Sequence, residues 1–276
     1  MDAVTFREFR RSGVVVVRGV LSVDQLLVIR QQVDAYLDDE GAPVTEAGDG
    51  RTTSGRFAYG HDVLARVEAF APVLRSSPLV PAVLSALGGT PPLTLLDDQV
   101  YVKEPGTEGR TPWHQDGSYW AATGRELCSA WLALDDVDQT TGGLEFVAGS
   151  HLWPERFRAA SFAEGQNVGD PAWLAVPDDT ELRERHRVLA PALSAGDAVV
   201  FHASVLHGAG PNISRHRRRR AVVTRWAGAD VRYAPKPYAS GRQMDKARRN
   251  GVTAGAPFRG PGYPRFGTEL NPREPA

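Results

Sequence analysis

Leu93-Thr-Leu-Leu-Asp-Asp-Gln-Val-Tyr-Val-Lys103 is the longest of six β-rich runs, the others covering 129–134, 144–147, 187–189, 198–202 and 221–226. Each is short and bounded by Gly, Pro or Asp turns, the pattern of strands joined by tight connections. Many short strands with few helices between them suit a double-sheet jelly roll, a double-stranded β-helix, and not a parallel sheet wound with helices. The expected fold class is therefore mainly β with flanking helices.

On the N-terminal side of this block, Gly13-Val-Val-Val-Val-Arg-Gly19 reads as one more strand, and Ser22-Val-Asp-Gln25 has the form of a capping box opening a helix over 23–37. Residues 39–56 read as a surface loop, and helical patterns follow near 61–70 and 78–87. On the C-terminal side, the Pro- and Gly-rich stretch after Ala234 predicts an extended tail able to cover a pocket mouth. The expected organisation is one domain over 1–276, with a helical part at about 1–90, a jelly-roll core at about 91–230 and the tail at about 235–276.

Composition removes several function classes. Lys plus Arg is 32 against 33 Asp plus Glu, so no global charge draws the chain to nucleic acid or to an anionic membrane. Cys128 is the single cysteine, which excludes an internal disulfide framework and a multi-thiolate metal site. The first residues lack the order of a signal peptide, and no run approaches the ~18 apolar residues of a membrane span. The expected location is the cytoplasm and the expected partner a small molecule.

The chemistry concentrates in Thr111-Pro-Trp-His-Gln-Asp-Gly117. In an extended segment His114 and Asp116 point to one side and Gln115 to the other, so both can reach one ion. Two imidazoles and one carboxylate can cap one face of a non-haem ferrous ion and leave the rest open to co-substrate and dioxygen. The second imidazole must come from a distant strand, and two histidines compete. His207 opens the Gly-rich His207-Gly-Ala-Gly-Pro-Asn-Ile-Ser214, where backbone can approach a ligand; His202 ends an apolar strand and has local bonding available. His207 is the better placed. The other histidines at 61, 151, 186 and 216 sit in unrelated polar contexts.

Downstream, Arg215-His-Arg-Arg-Arg-Arg220 runs into the strand at 221–226. Such a run is ordinarily a solvated face, and it also suits a phosphate-bearing substrate. Because it enters an apolar strand, one inward arginine can instead clamp a carboxylate bidentately.

Together these pieces resemble the phytanoyl-CoA dioxygenase family of Fe(II)- and 2-oxoglutarate-dependent oxygenases. The resemblance runs from Gly13-Val-Val-Val-Val-Arg-Gly-Val-Leu-Ser22 through Trp113-His-Gln-Asp116, Trp131-Leu-Ala-Leu-Asp-Asp136 and Gly142-Gly-Leu-Glu-Phe-Val-Ala-Gly-Ser-His151 to Ser214. It implies the jelly roll again, His114, Asp116 and His207 as the iron triad, and Arg219 as the arginine for 2-oxoglutarate. The segment is one residue longer than the family pattern, so Arg218 competes with Arg219; Ala221 and Val223 share the face of Arg219 and favour it. Gln99 and Trp131 are implied as further co-substrate contacts. The carboxylate at Asp116 argues against halogenation, for which related enzymes keep a small residue there.

The reaction so implied couples oxidative decarboxylation of 2-oxoglutarate by dioxygen to attack on a C–H bond of a small biosynthetic intermediate, ending in hydroxylation, desaturation, cyclisation or epimerisation. Tyr101, Tyr119, Trp120, Arg225 and Trp226 are candidates for lining the substrate pocket. Two other readings compete: an oxygenase of CoA- or carrier-linked acyl chains, and a non-catalytic metal-binding jelly roll.

Overall fold

The structure, a computed structural model, describes residues 3–46, 55–160 and 167–267. Its larger sheet is antiparallel throughout, in the order β1 (Val14–Val17), β13 (Ala198–His202), β7 (Leu127–Ala133), β15 (Arg219–Ala227), β4 (Leu93–Lys103), β3 (Phe57–His61) and β2 (Val44–Glu46), with β17 (Arg265–Phe266) beside β4. The smaller sheet runs β12 (Val188–Leu189), β8 (Leu144–Val147), β14 (His207–Ala209) and β5 (Thr111–His114). Short additions are the pair β6 (Ala122–Thr123) and β16 (Arg232–Tyr233), and the trio β9 (Phe157–Ala160), β10 (Asn167–Val168) and β11 (Leu174–Ala175). This is the expected jelly roll, with all six β-rich runs in its two main sheets.

Strand alternation divides the larger sheet into two faces. Outward, Cys128, Ala130 and Leu132 of β7, Ala198 and Val200 of β13, and Val222 and Trp226 of β15 join one core with the helices. Those are α1 (Ala3–Ser12), α2 (Val23–Asp38), α3 (Val63–Arg66), α4 (Phe70–Ser76) and α5 (Leu79–Leu87). Inward, Trp131, Ala133, Val199, Phe201, Ala221 and Val223 meet Phe146 of the smaller sheet. In β4 the alternation changes phase: Arg225 faces Asp97 but Trp226 faces Leu95, so Leu96 is an extra residue in a β-bulge. The bulge keeps Leu95 outward while Asp97, Gln99, Tyr101 and Lys103 lie opposite the inward residues of β15.

The capping box forms as expected, Gln25 N to Ser22 Oγ at 3.2 Å and Ser22 N to Gln25 Oε1 at 3.0 Å, and α2 buries Leu26, Ile29 and Val33. Leu27 stays exposed, one position off the apolar stripe. The helical pattern at 61–70 is different in the structure. His61 is the last residue of β3, Asp62 takes a left-handed turn, and only the single turn of α3 precedes α4. Of the loop expected over 39–56, residues 44–46 form β2 and 47–54 lie outside the described residues.

The tail is not simply extended. After α6 (Asp179–Arg185), helix α7 (Gly241–Arg249) forms within the tail and β17 pairs with β4, while Ala247, Val252, Phe258 and Tyr263 pack with Trp120, Ala121 and Ala122. Alanine, methionine, lysine and arginine over 241–249 are good helix formers that outweigh the surrounding prolines and glycines. Residues 268–276 lie outside the described ones. Among the described residues no single helix is long and apolar enough to cross a membrane.

Candidate active site

The cavity between the sheets is lined by Tyr101, Trp131, Phe201, Arg219, Val223 and Arg225 of the larger sheet and by His114, Leu144 and His207 of the smaller, with Asp116 and Tyr119 beyond β5.

His114 ends β5 and His207 begins β14, and the two are cross-strand partners with ring centroids 4.1 Å apart. Asp116 follows at the start of a short 3-10 turn. One ligand atom from each of the three lies within 4.8 Å of the others, and all three residues are buried. Asp116 Oδ1 is 3.6 Å from His114 Nε2 and 3.9 Å from His207 Nε2.

Each imidazole is oriented from behind. His114 Nδ1 lies 2.8 Å from Pro112 O and His207 Nδ1 3.1 Å from Val205 O. A carbonyl only accepts, so the proton sits on Nδ1 and the Nε2 lone pair faces the cavity. Burial, then the nearby His114, pushes His207 down to about 3 against the pull of Asp116, so its ring is neutral at pH 7. Burial alone would raise the Asp116 carboxyl; the neighbouring His114 and His207 rings and the Arg225 cation outweigh that and hold it well below the usual carboxylate range. Two imidazoles with Nε2 turned to the cavity and one ionised carboxylate, converging and buried, form a donor set that fits a ferrous ion.

The two orienting bonds on Asp116 come from hydroxyls. Tyr119 Oη donates to Oδ1 at 2.7 Å and Ser129 Oγ to Oδ2 at 2.6 Å. Tyr119 also stacks on His114 at 6.0 Å.

The arginine run divides cleanly. Arg217 pairs with Asp138, Arg218 with Asp34 and Glu104, and Arg220 with Asp135 and Asp34. Arg219 turns inward, its guanidinium 5.6 Å above the Trp131 ring, 3% exposed. Among the described residues no ion pair or hydrogen bond reaches that guanidinium, and its Nε is buried without a partner. Burial draws Arg219 down to about 10, against Tyr101 and Asp135, so it is a cation at neutral pH. Arg218, the competing choice, is committed on the outer side. With three of its arginines paired, the run offers little to a phosphate-bearing substrate.

Of the other residues singled out from sequence, Tyr101, Tyr119, Trp131 and Arg225 line the cavity. Arg225 Nη1 is 3.1 Å from Asp97 Oδ2, and although burial opposes its charge, Tyr101, Asp116 and Asp97 raise its pKa overall. Gln99 lies one step back, its Oε1 accepting from Tyr101 Oη at 2.8 Å and its Nε2 3.1 Å from His61 Nδ1. Two aromatics are not pocket residues. Trp226 is on the outer face in the helix-backed core, its Nε1 donating to Thr224 Oγ1 at 2.8 Å. It follows Arg225 directly, and adjacent strand residues face opposite ways. Trp120 is fully buried against the tail with the Arg225 guanidinium 5.6 Å over its ring, so it supports Arg225 and does not reach the cavity.

His202 faces away from the triad, with Nε2 3.0 Å from Arg125 O and Nδ1 accepting from Ser204 N at 3.0 Å. Ser129, Asp97, Phe201 and Leu144 were not foreseen. Steps of two from Trp131 and from Arg225's partner strand would have found the first two, because inward positions recur with that period.

The family model described as phytanoyl-CoA dioxygenase matches residues 9–221. The chain belongs to the phytanoyl-CoA dioxygenase family. It is an Fe(II)- and 2-oxoglutarate-dependent oxygenase. It is 28% identical over 264 residues to the ectoine dioxygenase of Halomonas elongata, covering 89% of this chain and 75% of that protein. Among solved structures it is similar in fold to the non-heme alpha ketoglutarate dependent carbocyclase SnoK from nogalamycin biosynthesis, with TM-score 0.74, 23% identity and 97% of each chain covered. The epimerase SnoN, solved in complex with Fe3+, alpha ketoglutarate and nogalamycin RO, has TM-score 0.70 and 22% identity, covering 95% of this chain and 96% of that one.

Proposed function

We propose that His114, Asp116 and His207 hold the ferrous ion, that Arg219 over Trp131 takes the distal carboxylate of 2-oxoglutarate, and that the substrate is a small biosynthetic intermediate bound toward Arg225. The observation that carries this reading is Arg219: a buried cation with no paired anion among the described residues, in the same cavity as the three converging ligands. An unpaired buried charge is costly, and a carboxylate ligand offsets that cost by a charge-assisted, bidentate pair. Bound at this site, iron with 2-oxoglutarate and dioxygen supplies an oxidant able to break a C–H bond, releasing succinate and carbon dioxide.

The protein's own residues do the positioning. Arg219 and Arg225 stand six positions apart on one strand, roughly 20 Å along it, so the anion-binding end and the substrate end are separate. Leu144, Phe201 and Val223 make the wall between them apolar. Tyr101, with its hydroxyl held by Gln99, Tyr119 and Arg225 give the substrate end polar contacts on an aromatic surface. Whether hydroxylation, cyclisation, epimerisation or desaturation follows depends on how the substrate carbon is held there; relatives described as a dioxygenase, a carbocyclase and an epimerase share the fold. The reading takes the cytoplasm as the compartment.

Succinate formation from 2-oxoglutarate, with Fe(II) added and omitted and small candidate substrates supplied, tests the reading. Iron-dependent succinate stimulated by a small molecule, with Arg219→Ala requiring far more 2-oxoglutarate, is the expected result. Turnover indifferent to both iron and Arg219 would overturn it.

A further inference from the structure

We propose that Ser129 is a positioning residue that keeps Asp116 on the metal through a single oxygen. The inference rests on Asp116 being a metal ligand. A carboxylate can bind a metal through one oxygen or both, and the two modes differ in how much of the metal's open face survives. An oxygenase of this kind needs that face for 2-oxoglutarate and dioxygen together. A second carboxylate oxygen on the metal takes part of it.

The two oxygens of Asp116 are already distinguished by their surroundings. Oδ1 is the one that faces the imidazoles, at 3.6 and 3.9 Å from their Nε2 atoms. Oδ2 accepts from Ser129 Oγ at 2.6 Å. Ser129 is fully buried, so its hydroxyl has no water to turn to, and it sits in the middle of β7 with Phe201 and Arg225 as its cross-strand partners. Its place is set by the larger sheet, whereas Asp116 belongs to the segment after β5 of the smaller sheet. The bond therefore fixes the carboxylate's rotation relative to the opposite wall of the cavity.

The histidines are held from their own segments. Both are oriented by backbone carbonyls two residues earlier in their own segments, Pro112 and Val205. Tyr119 Oη also holds Asp116, but on Oδ1 and from the same turn, three residues on. It constrains the ligand oxygen and leaves the other one to Ser129. The orientation of Asp116 thus depends on a side chain from another strand. Removing such an orienting partner typically weakens metal binding by about 10- to 100-fold.

The test is an anaerobic Co(II) titration read by competition with a chelating dye and by the visible Co(II) spectrum, beside the thermal unfolding of the metal-free protein. Ser129→Ala and Ser129→Cys, the second preserving volume with a weak donor, are expected to lose about 10- to 100-fold in affinity and to shift the spectrum as coordination changes. Ser129→Thr, which keeps the hydroxyl, should recover most of both. If Ser129→Ala does not fold, the cysteine variant carries the test. Affinity within about twofold of wild type and an unchanged spectrum would overturn the proposal, as would a fall in metal-free unfolding temperature with no change in binding. His207→Ala is the control: if it binds Co(II) as wild type does, the ligand assignment itself fails, and the Ser129 proposal with it.

Discussion

Strand β15 shows the molecule's two kinds of chemistry on its two sides. Arg220, Val222, Thr224 and Trp226 face out; Arg219, Ala221, Val223 and Arg225 face in. On the outer side every polar group is met by protein: Arg220 by Asp135 and Asp34, Trp226 Nε1 by Thr224, and Thr224 Oγ1 by Ala130 O at 3.3 Å. On the inner side Arg219 has no paired anion among the described residues, and small side chains at Ala221 and Ala133 leave room beside it. Two neighbouring arginines thus contribute to different things, one to holding α2 onto the sheet and one to the wall of the cavity. Satisfied polar groups mark structure, and an unsatisfied buried cation in a cavity marks binding.

The comparison can be broken most decisively at the triad. His114→Ala or Asp116→Ala should abolish turnover and metal binding while circular dichroism shows a retained fold, because these residues line the cavity and not the helix-backed core. Turnover in either variant would move the metal elsewhere. Next comes the pair on β15. Arg219→Ala should raise the 2-oxoglutarate concentration needed by about 30-fold or more, and Arg219→Lys should not restore it, because the bidentate geometry is lost. Arg218→Ala, at a partly exposed ion pair, should change it by less than about twofold; reversed effects would shift the assignment by one residue.

Trp226→Ala should lower unfolding stability by about 3–5 kcal/mol in chemical denaturation, through the cavity it leaves in the outer core, with turnover per folded molecule largely kept. A specific loss of turnover would return Trp226 to the pocket. The smallest effect concerns His202. Burial, then the neighbouring His151, lowers it to about 4, so the folded state holds it neutral while the unfolded chain takes up a proton below its ordinary value of 6.5. Stability from this group is complete above pH 6.5 and is lost as pH falls toward 4. Urea unfolding at pH 7.5 and pH 5 should show wild type losing roughly 1–2 kcal/mol more than His202→Gln; equal losses would mean His202 is not held neutral.

Much of this was legible because the decisive residues lie on strands. A period of two places His114 with Asp116 and Arg219 with Ala221 and Val223, and it needs no tertiary information. The same period assigns Trp226 to the face opposite Arg225, and a reading by proximity to the motif misses that. What sequence did not show depends on contacts between distant segments. The bulge at Leu96 that brings Asp97 to Arg225, the Ser129 hydroxyl on Asp116 and the packing of α7 against Trp120 each join residues far apart in the chain. At 61–70 local apolar spacing suggested a helix, and pairing of β3 with β4 overrode it as far as His61.

The most direct test of the account is an anaerobic titration of the metal-free protein with Fe(II) and then 2-oxoglutarate, followed by visible absorption. The account requires a weak metal-to-ligand charge-transfer band that needs both additions, is lost in His207→Ala and demands much more 2-oxoglutarate in Arg219→Ala. No band from folded wild-type protein, or a band untouched by either substitution, would contradict it.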